Sequence, residues 1–296
     1  MDHQTPRSIG QLIRSGERSF SFEFFPPKDA AGEEQLWQAI RELEPYQPTF
    51  VSVTYGAGGT TRDTTVAITG RIAKETSLLP VAHLTCVGHT VDEVRDVLGS
   101  LAASGVHNVL ALRGDPPGGP GTPWEPTNGG VNYASELVRV IKDAADVSVG
   151  VAAFPEGHVD AASLDDDVAV LKAKQDAGAE FAITEMVLRA SDYFALVERA
   201  AAAGVDIPII PGVMPILNIN SMRRMVELSR RELPTEVVQR LYPFEDDKAG
   251  LRAEGIAIAT ELCDAMLDGG APGLHFYTLN RSKATREIFE ALRITV

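Results

Sequence analysis

Cysteine is nearly absent from this 296-residue chain. Cys86 and Cys263 are the only two, too few for a disulfide framework and without metal-ligand spacing. Positive charge is also in deficit: 27 Lys and Arg face 41 Asp and Glu, a formal net charge of −14. That balance argues against a nucleic-acid backbone as partner, because phosphate binding needs clustered cations. A small anionic ligand held by a few local cations remains compatible. Long apolar runs are missing too. No stretch approaches the roughly 18 residues of a membrane-crossing helix. The N-terminal MDHQTPRSIGQLIRSGERS lacks the apolar core of a signal peptide. The expectation is a soluble protein of the reducing cytoplasm, with no membrane or nucleic-acid partner.

What is present is a hydrophobic fraction of 44%, enough at this length for a large core. Eight short apolar runs alternate with amphipathic stretches: FSFEFF (20–25), FVSVTY (50–55), PVAHLTC (80–86), NVLALRG (108–114), VSVGVAAF (147–154), FAITEM (181–186), IPIIPGVM (207–214) and GLHFYTL (273–279). Near-continuous apolar strands separated by helical patterns predict a parallel sheet covered on both faces. A doubly wound open sheet produces the same local pattern. Eight units favour closure, so the predicted fold is α/β, a (β/α)8 TIM barrel. It is expected to form a single domain over residues 1–296, with an extra helical segment within 215–271. The most irregular loop, DPPGGPGTPWEPTNGG (115–130), suits an active-site loop better than a domain boundary.

In such a barrel the chemistry sits at the C-terminal strand ends, and polar residues gather there. They are Glu23, Thr54, Tyr55, His83, Thr85, Arg113, Asp115, Glu156, His158, Glu185 and the run Tyr277 to Arg281. Singly each has an ordinary reading: His83 as a bonded core histidine, Arg113 and Asp115 as a surface ion pair. Together on successive strand ends they point to a site. Glu23 stands among Phe22, Phe24 and Phe25. Lost hydration there is expected to raise its pKa and fit it for general-acid work. The competing account is a glutamate neutralised by a buried arginine. The stretch GAGGTT (56–61) fails as a phosphate loop, lacking the Lys-Ser/Thr pair, and as a dinucleotide fingerprint, lacking the final Gly. No ligand pair among His83, Asp115, His158 and Glu185 has diagnostic metal spacing, so no metal is expected.

The motifs SFEFFPPK, FVSVTYGAGG, AHLTC, LALRGDPP, YASELV, VAAFPEGH, PGVMPI and HFYTLNR run almost end to end. In this order the sequence resembles the methylenetetrahydrofolate reductase family. The resemblance implies a (β/α)8 barrel that reduces 5,10-methylenetetrahydrofolate with NADH or NADPH as co-substrate, through bound FAD. It implies Glu23 as general acid and Asp115 beside the flavin and pterin rings as the second catalytic residue. Cofactor contacts would come from Thr54, His83, Arg113, Gly114, Asp115, Tyr133, Phe154, His158, Asp167 and Lys174. Folate and nicotinamide dinucleotide would meet Glu23, Asp115, Glu185, Ile219, Tyr277 and Arg281. The family's short members also imply a homo-oligomer.

The chain departs from the family pattern at several positions. Glu185 replaces a glutamine, Ile219 a stacking phenylalanine and Phe154 a tyrosine. Val170 and Ala173 replace an Asn and an Arg that help hold the FAD phosphates. Two further readings therefore stay open: the same reaction by direct hydride transfer from NADH without flavin, and a folate-binding barrel without catalysis. The retained Glu23 and Asp115 argue against the latter, since binding alone needs no acid.

Overall fold

Phe22 and Phe24 point outward from the first strand, and Glu23 between them points inward. Successive side chains of a strand alternate in direction. Phe22 packs on Phe276 and on Phe289, a residue of a covering helix. Both phenylalanines belong to the core between sheet and helices. In this computed structural model, residues 8–56, 61–116, 122, 124–220, 223 and 232–294 are described.

The eight strands are β1 (Ser19–Phe24), β2 (Phe50–Val53), β3 (Pro80–Thr85), β4 (Asn108–Leu112), β5 (Ser148–Ala153), β6 (Phe181–Met186), β7 (Ile209–Val213) and β8 (Gly273–Tyr277). They close in sequence order into a barrel. β8 pairs back onto β1 in parallel, from Ser19 opposite Gly273 to Glu23 opposite Tyr277. The predicted closed fold is what forms; the open sheet is not. The polar ends of several predicted runs, such as Thr54-Tyr55 and Arg113-Gly114, leave the ladder and turn into the loops above it.

α1 (Ile9–Arg14) precedes the barrel. α2 (Ala30–Leu43), α3 (Arg62–Glu75), α4 (Val91–Ala103), α5 (Ala134–Ala144), α6 (Leu164–Asp176) and α7 (Ala190–Ala202) follow β1 to β6 in turn. Side chains satisfy free N–H groups at several helix starts: Asp29 for α2, Thr90 with Glu93 in a capping box for α4, and Ser163 for α6. Between β7 and β8 lie helices Thr235–Leu241 and Lys248–Asp268. Ile216, Val237, Leu241 and Leu251 form a small core of their own there, with Ile219 packed against it.

The barrel interior is filled from below. Phe50, Val81, Leu110, Phe181, Ile183 and Ile210 form an apolar floor, sealed by Ile9 and Ile13 of α1. Gly150 on β5 makes room for it, since a methyl group there would lie 2.4 Å from the Phe181 ring. Ser8, at the start of α1, and Ser148 both donate to Glu180, which also pairs with Lys142 at 3.0 Å. The sequence reading assigned no element to α1. Residues 57–60 of the glycine-rich stretch, and 117–121 and 123 of the long loop, lie outside the described residues.

Candidate active site

Above the floor the barrel interior becomes polar. Ser21 and Glu23 of β1, Ser52 of β2, His83 of β3 and His275 of β8 are all buried. Glu23 is 5% exposed and its Oε2 is the shared point of the group. His275 Nε2 lies 3.3 Å from that oxygen, and Ser52 Oγ donates to it at 3.4 Å. His83 Nε2 is also 3.3 Å away, in ion-pair contact but without hydrogen-bond alignment. Behind the cluster, Ser21 Oγ meets His275 Nδ1 at 2.8 Å. The Glu23 backbone is fixed as well: its carbonyl accepts from Thr278 Oγ1 at 2.6 Å.

This geometry corrects the sequence reading of Glu23 twice. The neighbouring phenylalanines do not surround the carboxyl: strand alternation sends Phe22 and Phe24 to the opposite face, and Phe25 is exposed just past the end of β1. Nor is its pKa raised. Burial in the closed barrel pushes it up, but the charge of His83 and the hydrogen bond from His275 outweigh that and hold it at about 2. The partners are imidazoles, so the buried-arginine account does not hold either.

A second group gathers beyond β4, β5 and α6. Lys174 is buried and donates to the Ala152 carbonyl at 2.9 Å. Its ammonium lies 5.6 Å above the Phe154 ring. Burial lowers its pKa to about 8, with Asp167 opposing the shift. His158 meets Phe154 edge-on at 4.8 Å; burial and then the Arg113 charge push its pKa down. Arg113 pairs with Asp160 at 3.0 Å and covers the Trp124 ring at 5.2 Å. The ordinary reading of Arg113 and Asp115 as an ion pair does not hold, since Arg113 pairs with Asp160. Asp115 itself is exposed just past β4. Gly114 has φ +83°, and a methyl group there would strike Val87 and Thr85. The Thr85 hydroxyl is buried with no partner.

On the opposite wall, the register between β6 and β7 shifts between Ile183 and Met186. Such irregularities re-aim side chains near functional sites, and Glu185 is exposed within an otherwise buried strand. Tyr277 Oη donates to the Thr184 carbonyl at 2.7 Å. The remaining candidates are more dispersed. Thr54 follows β2, its carbonyl accepting from Thr65 at 2.9 Å. Tyr133 is 59% exposed at the start of α5. Ile219 packs into the small core of the β7–β8 connection. Arg281 lines an outer cleft with Gln35, Gln38 and Arg286, away from the Glu23 cluster. Among the described residues, no group of three or more His, Cys, Asp or Glu side chains could hold a metal ion, and no helix is long and apolar enough to cross a membrane.

Sequence reasoning passed over His275, Ser21 and Ser52. The signal was there in the alternation: His275 and Tyr277 share one face of β8, as Ser21 and Glu23 share one face of β1.

A closed eight-stranded parallel barrel with a sealed carboxylate and ionisable groups at its C-terminal strand ends has the anatomy of a (β/α)8 enzyme. Residues 8–293 match the family model for methylenetetrahydrofolate reductase. The 5,10-methylenetetrahydrofolate reductase of Escherichia coli (strain K12) is 37% identical over 279 residues, covering 94% of this chain and 92% of that protein. Methylenetetrahydrofolate reductase 1 of Schizosaccharomyces pombe is 36% identical over 93% of this chain and 46% of its own length. Among solved structures, an uncharacterized protein from Clostridium thermocellum that binds two copies of 5-methyl-5,6,7,8-tetrahydrofolic acid shares the fold. Its TM-score is 0.65 at 15% identity, with 96% of this chain and 97% of that chain covered. The chain belongs to the methylenetetrahydrofolate reductase family, a family of oxidoreductases.

Proposed function

We propose that this protein reduces 5,10-methylenetetrahydrofolate to 5-methyltetrahydrofolate with hydride from NADH or NADPH, and that Glu23 is the general acid. The observation that carries the reading is the sealed Glu23 carboxyl near the C-terminal end of β1, bonded to hydrogen-bond donors instead of a guanidinium. Its proton goes to the nitrogen of the bridging five-membered ring, the ring opens to an iminium, and hydride adds to that carbon. Asp115, exposed at the mouth, binds folate and tunes the charge near the reacting rings. Glu185 and Tyr277 face the substrate from the β6 and β8 side. Folate and the nicotinamide dinucleotide are the small-molecule partners.

The residues beyond β4 and β5 fit FAD. Lys174 and Arg113 bring positive charge suited to phosphates, the Gly114 backbone leaves space that a side chain would fill, and the partnerless Thr85 hydroxyl is available. Thr54, His83, Tyr133, Phe154, His158 and Asp167 are the further contacts the resemblance supplies. FAD, when bound, carries hydride between nicotinamide and folate.

A second reading keeps the substrate and the reaction but has NADH give its hydride directly. It is favoured by the α6 surface, where Val170 is 47% exposed in place of a polar phosphate holder. The salt bridge of Arg113 to Asp160 favours it too. The purified protein separates the two. Flavin absorbance in the preparation supports the first; a colourless preparation with full NADH-linked activity removes it. Glu23→Gln is expected to abolish folate reduction while leaving NADH reduction of any bound flavin intact. Loss of both half-reactions in a folded variant would remove Glu23 from the acid role.

A further inference from the structure

We propose that His275 is a positioning residue that stores the proton Glu23 delivers to the folate nitrogen. The inference rests on the reading of Glu23 as the acid. The acid role needs a proton on Glu23, and the nearest groups that can supply one are the imidazoles of His83 and His275, each 3.3 Å from Oε2. His275 is fully buried and has both ring nitrogens engaged, Nε2 with Glu23 Oε2 at 3.3 Å and Nδ1 with Ser21 Oγ at 2.8 Å.

Ser21 makes two states of the ring equally well bonded. Its oxygen also lies 3.4 Å from the Leu274 carbonyl. When the imidazole is neutral with its proton on Nδ1, Nδ1–H donates to Ser21 and Nε2 accepts from a protonated Glu23. When the imidazole is charged, Nδ1–H donates to Ser21, whose own hydroxyl proton turns to Leu274. No heavy atom has to move. The surroundings hold the ring in place: Phe50 stacks on it at 5.8 Å, and Tyr277 meets it edge-on at 5.3 Å with its hydroxyl already committed to Thr184. β7 presents Gly212 opposite His275. Among the described residues, the titratable groups facing the pair are thus Glu23 itself, His83 across the carboxyl from β3, and Tyr277.

The transfer balances simply. The Nε2–H bond of the imidazolium breaks and an O–H bond forms on Glu23, leaving neutral His275 with its proton on Nδ1. The Glu23 O–H bond then breaks as the folate N–H bond forms. One proton per turnover returns from solvent after product leaves.

The test is the pH profile of steady-state folate reduction in wild type, His275→Gln, Ser21→Ala and Glu23→Gln. Glutamine can still donate to Glu23 but cannot store a proton. In wild type the rate should fall as pH rises and the store empties. In His275→Gln that limb should vanish, with kcat about 100-fold lower at neutral pH, within the range for general-acid catalysis, and KM for folate within about threefold. Ser21→Ala removes the acceptor of the charged ring, so the limb should move to lower pH. A wild-type limb in His275→Gln beside an inactive Glu23→Gln overturns the proton store alone. An active Glu23→Gln overturns the acid reading itself. Should His275→Gln fail to fold by circular dichroism, Ser21→Ala decides: an unmoved limb rejects the proposal.

Discussion

The Tyr277 hydroxyl reaches from β8 to the Thr184 carbonyl on β6, passing over β7 at Gly212. Only glycine leaves that path open. A methyl group at 212 would lie 2.5 Å from the Thr184 oxygen and 2.8 Å from the tyrosine oxygen. Gly212→Ala should therefore lower stability by about 1–3 kcal/mol, the usual result of overpacking. Tyr277→Phe loses one hydrogen bond and should cost only about 1 kcal/mol. Urea melts of the two variants check the ordering. A wild-type midpoint for Gly212→Ala would show that β7 yields freely and that the Tyr277 bond is not held there.

Lys174 sets stability against ligand binding. Its folded-state pKa is depressed to about 8, so between about pH 8 and 10.5 the unfolded chain binds a proton that the folded chain does not. By linkage, stability gained from this group rises with pH across that window. The penalty of burying the charge is fully present below pH 8. Lys174→Met should consequently be more stable than wild type at pH 7, and its advantage should shrink by about 3 kcal/mol as pH rises through the window. The same variant should bind a dinucleotide phosphate more weakly. Paired denaturation curves at pH 7 and pH 10 measure the shrinkage; a gap independent of pH would mean that Lys174 stays charged throughout.

The underside of the barrel gives a prediction of opposite sign. Burial raises the Glu180 pKa, but hydrogen bonds from Ser8, Lys142 and Ser148 outweigh it and hold the carboxyl below its ordinary range. Such a group stabilises the fold above the ordinary carboxylate pKa of 4.5, and that contribution fades as pH falls below it. Glu180→Gln should cost about 1–3 kcal/mol at pH 7, and the deficit should narrow in acid. Protection of α1 amides from hydrogen exchange should drop in the same variant, because Ser8 anchors that helix through Glu180. Unchanged protection would show that Ile9 and Ile13 hold α1 unaided.

The barrel could be read from the sequence because each strand announces itself locally, through apolar runs at repeated spacing with helical periodicity between them. The rank of polar residues at the strand ends could be read for the same reason. What Glu23 touches could not. Its partners come from β2, β3 and β8, brought together only by closure, and 252 positions separate it from His275. Judging its environment by its sequence neighbours put the phenylalanines around it and reversed the direction of its pKa. The Arg113 partner was hidden for the same reason: Asp115 is near in sequence, but Asp160 is near across the site. α1 left no trace because its six residues are too few for periodicity to register, and its helix is maintained by tertiary contact with the floor.

The α6 surface offers the sharpest division between a flavin-linked and a flavin-free enzyme. Val170 and Lys174 lie one turn apart on the same helix face, and Ala173 sits beside them. Lys174 is buried, whereas Val170 is exposed, so substitution at 170 need not disturb the core. Installing polar groups by Val170→Asn with Ala173→Arg adds a guanidinium capable of bidentate bonding to phosphate. Charge-assisted bonds contribute about 1.5–3 kcal/mol each. If this face meets the phosphates of FAD, the double variant should bind FAD at least about tenfold more tightly than wild type, as read by quenching of flavin fluorescence. Folate-reducing activity should then become less dependent on added FAD. An unchanged affinity in a folded double variant would place the phosphates elsewhere and favour hydride passing straight from NADH to the folate carbon.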